Sequence, residues 1–441
     1  MIAENTSSTT GAARPSPLRF LDPRFYLDAF ASSGESFRML VQGVKRRQGW
    51  FLERMTFRRG INLAVGATQY ALKAEKMLAF PSAVKIDISP MCNLSCTVCV
   101  HADPNGDPAL EKQEFHPQHR MSVEQFRGIV KQIRGRSSAV SLYYVGDPLV
   151  HPDLDEMSTI AKDAGLNVHI STNFSFALTD ARIRRMVKSG LTHLTVCVDG
   201  LSQAKYEMTR VGGRIDRVLN NLKRICEFRK EYGQVYPKVE VQYIKFQHNL
   251  DEVEPARKML LDMGIDQFTD FFGDLGNYTD RDPNFLEVIG PHKNKGLPQC
   301  YWPHNATVIK YNGDVIPCCT YRIGHQYTAK DDPKHFGNVF ETSLAEIWNS
   351  EKYRDARRMV NNPEVINSEP RLKDHFCYGC PAIYKTTDRT TQGMSWNVTW
   401  EERYEMDEHG RPVAKRRSEE GWNVSEKFVQ VGLPNGEKAT V

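Results

Sequence analysis

Between residues 83 and 272, apolar strand-like runs alternate with helix-like patterns. This rhythm restricts the fold more than any other feature of the chain. Strands are predicted at Ala83 to Ile88, Ala139 to Tyr144, Asn167 to Thr172, His193 to Val198, Val239 to Lys245 and Gln267 to Phe272. Helical patterns fill the gaps: Val123 to Ile133, Asp153 to Ala164, Thr179 to Ser189, Ile215 to Tyr232 and Leu250 to Met263. Ser122 with Gln125 forms a capping box for the first of these, and Gly190 is a good terminator for the third. Repeated β-α units imply a parallel sheet with right-handed crossovers. Six such units make a partial (β/α)6 barrel of the α/β class, related to the eight-unit TIM barrel. In barrels of this kind the chemistry sits at the C-terminal strand ends.

The first strand runs through Pro90 into Cys92, Cys96 and Cys99, a C-x3-C-x2-C loop. That spacing puts three sulfurs close enough together to hold one iron–sulfur cluster. A 4Fe–4S cubane takes four ligands, so three cysteines leave one iron open, as a catalytic zinc keeps an open position. His101 is a possible fourth ligand, although a loop histidine is the plainer reading. The next three strands end in Gly146-Asp147-Pro148, Ser171-Thr172-Asn173 and Cys197-Val198-Asp199-Gly200, all polar or backbone-exposing.

At these positions the chain resembles the radical S-adenosylmethionine (SAM) superfamily. The resemblance implies that the open iron of a 4Fe–4S cluster is chelated by SAM. Reductive cleavage of SAM would then release a 5′-deoxyadenosyl radical. Tyr144-Val145-Gly146-Asp147-Pro148 is similar to the family's Gly-Gly-Glu-Pro segment, which binds the methionyl ammonium; Val145 and Asp147 are departures from it. Ser171 and Asn173 would face the ribose and methionine. Cys197 to Gly200 is similar to the family's Ser-Ile-Asp-Gly, with Asp199 among the cofactor contacts. Arg210 would meet the SAM carboxylate, a role suited to a planar guanidinium. Val98 stands where the family usually has an aromatic residue. Cys197 reads either as a hydrogen-atom donor or as a small buried hydrophobe, and Cys226 as core.

A second cysteine set follows. Cys300, Cys318, Cys319, Cys377 and Cys380 surround an Asn312-Gly313 hairpin signal and a predicted helix, Ser343 to Val360. Their order resembles the SPASM/twitch extension of radical SAM enzymes. It implies one auxiliary 4Fe–4S cluster on Cys300, Cys318, Cys377 and Cys380, with Cys319 as an alternative to Cys318. A four-cysteine zinc site is the plain alternative.

Composition adds limits. The chain has 441 residues, of which 40% are hydrophobic and 25% charged, with a net charge of +4, too small to argue for nucleic acid. Eight of ten cysteines sit in the two clusters, which points to a reducing, cytoplasmic compartment. No signal-peptide pattern and no run long enough to span a bilayer is seen. Residues 1–36 read as a disordered tail and 37–80 as a basic helical extension that could contact an anionic membrane peripherally. The barrel is assigned to 81–290, the auxiliary domain to 295–385 and an extension to 393–441.

The resulting expectation is a tailoring oxidoreductase, a dehydrogenase of a sugar or aminocyclitol-type small molecule, fed by an external reductant such as flavodoxin or ferredoxin. Alternatives are a sugar epimerase using Cys197, modification of a ribosomal peptide, or a non-catalytic zinc or redox scaffold. Lys245 is offered as a base. Asp103, Gln242, Asp270 and Tyr278 are offered with it as substrate contacts near the barrel mouth.

Overall fold

The computed structural model describes residues 53–96, 99, 101, 115–272, 286–288, 297–319, 334–380, 383–386, 404–406 and 412–414. Asp103, Tyr278, Val98 and the basic run before residue 53 lie outside these residues.

The N-terminal helix α1 (Phe57–Ala71) begins at Thr56, whose hydroxyl accepts from Arg59 N. Strand β1 (Ala83–Ile86) leads to α2 (Val123–Ile133), where the predicted Ser122–Gln125 capping box is present. Then follow β2 (Ala139–Ser141), α3 (Leu154–Asp163), β3 (Asn167–Thr172), α4 (Asp180–Lys188) and β4 (His193–Cys197). A short helix, α5 (Gln203–Thr209), precedes α6 (Ile215–Glu231), β5 (Lys238–Lys245), α7 (Val253–Asp262) and β6 (Gln267–Phe272). The six strands are parallel neighbours in chain order. This is the mostly parallel, partial TIM-like barrel of the α/β class.

The strand β7 (Leu286–Val288) lies apart from this sheet, but the next hairpin does not. Strand β8 (Ala306–Ile309) pairs parallel to β1, and β9 (Val315–Ile316) folds back antiparallel on β8. The full order is β6-β5-β4-β3-β2-β1-β8-β9. The auxiliary cysteine region therefore continues the barrel sheet on its β1 side. Gly313 turns the hairpin at φ +91°, as its Asn-Gly signal requires.

The predicted helix from Ser343 to Val360 is two helices, α8 (Leu344–Ile347) and α9 (Glu351–Asn361). The break has a local cause: Ser350 caps α9 by accepting from Tyr353 N. It also has a tertiary one. Arg357 of α9 is wholly buried and donates to the carbonyls of Glu75 (2.9 Å), Pro303 (2.9 Å) and Trp348 (2.7 Å). Those three carbonyls belong to the N-terminal strap, the start of the hairpin region and the α8–α9 turn.

The basic character of the N-terminal extension is partly spent inside the protein. Arg59 donates to Ala164 O and Gly165 O, and Arg54 to Leu166 O, covering the C-terminal end of α3. Cations there satisfy open carbonyls and oppose the helix dipole. No helix among the described residues is long and apolar enough to cross a membrane.

On the helix-facing side, Val84, Ile86, Val140, Leu142, Val168, Ile170, Leu194, Val196, Val239 and Val241 are all buried. Each such side chain contributes about 1.5–3 kcal/mol when withdrawn from water. The intervening residues point the other way, into the barrel lumen. They are Lys85, Ser141, His169, Ser171, Thr195, Cys197, Glu240 and Gln242. The lumen is therefore polar.

Arg357→Leu should strand three backbone carbonyls and cost about 3 kcal/mol or more. A fall in thermal midpoint, followed by circular dichroism, is the expected outcome. An unchanged midpoint would mean that the three bonds contribute nothing net.

Candidate active site

The cysteine loop is held from outside. Asp147 N donates to Met91 O (2.8 Å), Asn93 Nδ2 to Ser175 O (3.0 Å), and Ser95 N to Val211 O (3.1 Å). The ends of β2 and β3 and the turn after α5 thus grip three successive points on it. Gly146 explains how the β2 end comes so close. A β-carbon there would collide with the carbonyl oxygens of Ser89 and Met91 and with Pro90. Only glycine allows that approach.

Cys92, Cys96 and Cys99 are each half-buried; Cys92 feels the charge of both others and Cys96 that of Cys99. Burial pushes the Cys92 thiol well above its ordinary range, with Asp147 adding to the effect. Burial pushes the Cys96 thiol up to about 12, against the pull of Arg210. Cys92 Sγ also receives Leu94 N (3.5 Å) and Asn173 Nδ2 (3.7 Å). Three crowded sulfurs with N–H donors aimed at one of them suit thiolates bound to a metal cluster. A bound metal removes the thiol protons that burial otherwise retains. The donor set therefore fits a cluster. His101 does not join it. Burial lowers the His101 pKa to about 4, and its ring packs on Phe115 at 4.6 Å.

Asp147 is a hub. Its carboxylate accepts from Thr172 Oγ1 (2.9 and 2.8 Å), Asn173 N (2.8 Å) and Leu149 N (3.0 Å), where it caps the turn begun by buried Pro148. Burial raises its pKa to about 6 against the lowering effect of those bonds. Its oxygens therefore join β2 to β3. The Asn173 amide is likewise committed, to Asn93 Oδ1 (2.9 Å), Cys92 and Ser175 N (2.8 Å).

Asp199 and Arg210 form a buried pair, Nε to Oδ2, at 2.5 Å. Burial works against the charge of Arg210, but Asp199, Cys197 and Cys96 outweigh it and hold its pKa well above the usual value. The guanidinium also hydrogen-bonds to Cys96. Asp199 Oδ1 accepts from Ile244 N (2.9 Å), and Asn249 bridges Asp199 O and Ile244 O. The pair thus lies where β4, β5 and the cysteine loop meet.

Ser171 and Cys197 face the lumen side by side, Oγ to Sγ 3.9 Å. Burial raises the Cys197 pKa against the pull of Arg210, so the thiol keeps its proton. Lys245, read from the sequence as a base, is correctly near the mouth but on the other face. It shares strand parity with core residues Val241 and Tyr243, and it pairs with Asp270 at 2.6 Å, as does Arg257. Burial opposes ionisation of Asp270, but the bonds from Lys245 and Arg257 win and lower its pKa. Both residues serve the helix side of the sheet.

Below the mouth, the sequence reading missed most of the lumen. Ser141 Oγ meets His169 Nδ1 (3.2 Å), His169 Nε2 meets Thr195 Oγ1 (2.8 Å), and His193 Nε2 meets Glu240 Oε2 (2.9 Å). The two imidazoles lie 5.0 Å apart, and Tyr143 stands edge-on to His169. The signal was available in Asn-Val-His-Ile-Ser-Thr and His-Leu-Thr-Val-Cys. Parallel strands covered on both faces read as continuous apolar runs. Strict alternation instead marks a polar interior.

The second cysteine set is also gathered. Burial pushes the Cys300 thiol up to about 12, with Cys380 and Cys319 adding. Burial raises Cys377 well above its ordinary range, with Cys318, Cys380 and Cys300 adding. Cys318 is buried and Cys319 half-buried. The three cysteines that act on Cys377 are the other residues of the predicted ligand set, so the donor chemistry fits an iron–sulfur centre. Among the described residues, no three cysteine, histidine or acidic side chains converge as the ligands of one metal ion would.

The pattern of the radical SAM superfamily matches residues 86–237, and that of the iron–sulfur cluster-binding SPASM domain matches residues 300–381. The chain belongs to the radical SAM superfamily and carries a SPASM domain. Its cofactors are accordingly SAM, the SAM-binding 4Fe–4S cluster and auxiliary iron–sulfur chemistry in the SPASM domain. It is 26% identical over 314 residues to the tungsten-containing aldehyde ferredoxin oxidoreductase cofactor-modifying protein of Pyrococcus furiosus, covering 63% of this chain and 83% of that one. It is 22% identical to the AdoMet-dependent heme synthase of Methanosarcina barkeri, over 68% of this chain and 91% of that one. Among solved structures, Streptococcus suis SuiB bound to S-adenosylmethionine matches with a TM-score of 0.48 and 16% identity. The match covers 73% of this chain and 78% of SuiB.

Gly146→Ala should push the β2 end off the cysteine loop. The expected outcome is loss of iron from the first site with little change in the second, read by iron content and by the SAM-dependent change in the cluster's electron paramagnetic resonance signal. Full iron and a normal SAM response would show that the loop tolerates the displacement.

Proposed function

We propose that this protein is a radical SAM oxidoreductase that takes a hydrogen atom from a polar small molecule, of sugar or aminocyclitol type, held in the barrel lumen. The observation that carries this reading is the row of polar side chains on the inward face of β1 to β5, on strands whose ends hold the cysteine loop. A packed barrel interior is filled by branched apolar side chains. This one instead presents hydroxyls, imidazoles and amides. The names of the two curated relatives, one a cofactor-modifying protein and one a heme synthase, also describe small-molecule chemistry.

When bound, the cluster and SAM supply a primary carbon radical able to remove hydrogen from an unactivated carbon. The chain's own residues do the rest. Arg210 and Asp199 fix the β4 end against the loop, and the surrounding strand ends exclude water from the reacting carbon. An alcohol radical becomes a ketone by giving up one proton and one electron. That proton would leave by way of the Ser171 hydroxyl at the mouth, since Lys245 lies on the helix side of the sheet. One auxiliary 4Fe–4S cluster on Cys300, Cys318, Cys377 and Cys380 would receive the electron. A flavodoxin- or ferredoxin-type partner would supply the reducing equivalent that starts the cycle.

Anaerobic reconstitution tests the class. About eight irons per chain, as two cubanes require, and release of deoxyadenosine with dithionite are expected. Bound zinc without SAM cleavage would reduce the protein to a scaffold. Serine substitution of Cys300, Cys318, Cys377 and Cys380 should remove about half the iron and leave the first site able to cleave SAM.

A second reading, epimerisation, is favoured by Cys197, a protonated thiol facing the lumen at its mouth. It requires that thiol to return a hydrogen atom to the substrate radical. Cys197→Ala should then block product formation while SAM cleavage continues. Unchanged product yield with an oxidised product would leave dehydrogenation.

A further inference from the structure

Lys85 stands out among the lumen side chains. It lies on β1 between buried Val84 and Ile86, and it is half-buried. Its register partner on β2 is Ser141, and the register partner of Ser141 on β3 is His169. All three share one face of the sheet, the face on which Ser141 and His169 hydrogen-bond. The Lys85 ammonium lies 4.1 Å from the centre of the Tyr143 ring, and Tyr143 in turn touches His169. Among the described residues no carboxylate lies within ion-pair distance of it. The nearby acids are spent elsewhere. Glu240 is bonded to His193, and Asp87, two residues along β1, is wholly buried and not paired with Lys85.

A lysine held over an aromatic face, beside a hydroxyl and an imidazole, in a low-exposure chamber, is incompletely neutralised. Cation–π contact compensates only part of the charge. Such a group gains most from an anion able to accept from several donors at once. We infer that Lys85, with Tyr143 and Ser141, forms an anion subsite within the lumen and takes a carboxylate carried by the substrate. The subsite rests on the reading that the lumen is where the substrate lies.

The subsite also sets the charge the substrate must carry. A cationic aminocyclitol would bring like charge to Lys85. The substrate class narrows from sugar or aminocyclitol to a sugar acid or a similar polyhydroxylated carboxylate.

The test uses the reconstituted full-length protein with SAM bound. Acetate and its neutral isostere acetamide are small enough to enter a lumen of any detailed shape. Saturation-transfer NMR should show acetate binding, with acetamide at least roughly tenfold weaker. Lys85→Met should weaken acetate by a similar factor, and Tyr143→Leu should weaken it less. Iron content and circular dichroism confirm that each variant is folded, and Lys85→Gln serves if the methionine variant is not. Equal response to acetate and acetamide, or acetate binding unaffected in both lysine variants, overturns the subsite. Deoxyadenosine release by the wild-type protein reports separately on the function proposed above. Its absence would remove that reading, while the acetate comparison would still decide for or against the subsite.

Discussion

The structure depends on a loop that does not hold itself. The run from Met91 to Cys99 is gripped by Asp147 N, Ser175 O and Val211 O, and by the amide of Asn173. Asp147 is the centre of this arrangement. A buried carboxylate is costly unless its oxygens are satisfied, and here Thr172, Asn173 and Leu149 satisfy them. The result is a fixed distance between the ends of β2 and β3. Asn173 then passes that fixed distance on to Cys92 and Asn93. The placement of the loop is thus set by the sheet, and Cys92, Cys96 and Cys99 are the residues that would hold the cluster.

What was legible in the sequence is what is local. The cysteine spacings, the Ser122 capping box, the Asn-Gly hairpin and the strand–helix alternation each involve neighbours along the chain, and each appears in the structure. What was not legible depends on register and on pairing across long separations. Pairing of β8 with β1 joins residues more than 200 apart, and nothing near Ala306 announces it. Lys245 illustrates the other difficulty. It lies at a strand end, where barrels place chemistry, yet a one-residue change of parity puts it among the helices. Strand ends identify a neighbourhood, but the face is decided residue by residue. Asp147 adds a third difficulty: its position matches the family's acid, but its bonds from Thr172, Asn173 and Leu149 emerge only when β2 and β3 lie side by side.

The β8–β9 hairpin has a structural consequence for both cysteine sets. Cys92 follows β1, Cys318 follows β9, and β8 lies between them in one continuous sheet. Asp87 N donates to Ile309 O (2.8 Å), extending the β1–β8 ladder toward the strand ends. Ser89 Oγ donates to His119 O (3.1 Å), and the His119 ring stacks on Tyr311 in the hairpin turn (5.3 Å). Arg357 and the strap then fasten the hairpin from behind. The second cysteine set is consequently part of the same framework as the first.

A shared sheet and a polar lumen also explain why the barrel is partial. In a closed barrel the interior is layered with packed apolar side chains and has no room for a guest. Here the sheet runs from β6 to β9 without closing, so the inward side chains need not fill the centre. Those side chains are then free to be polar, provided each finds a partner, as His169 does in Ser141 and Thr195 and His193 does in Glu240. The upper positions, Lys85, Tyr143, Ser171, Cys197 and Gln242, are half-buried. The sealed pairs below them hold the floor rigid. The half-buried ones above can exchange water for a substrate, and the passage from one to the other follows the strands toward the cysteine loop.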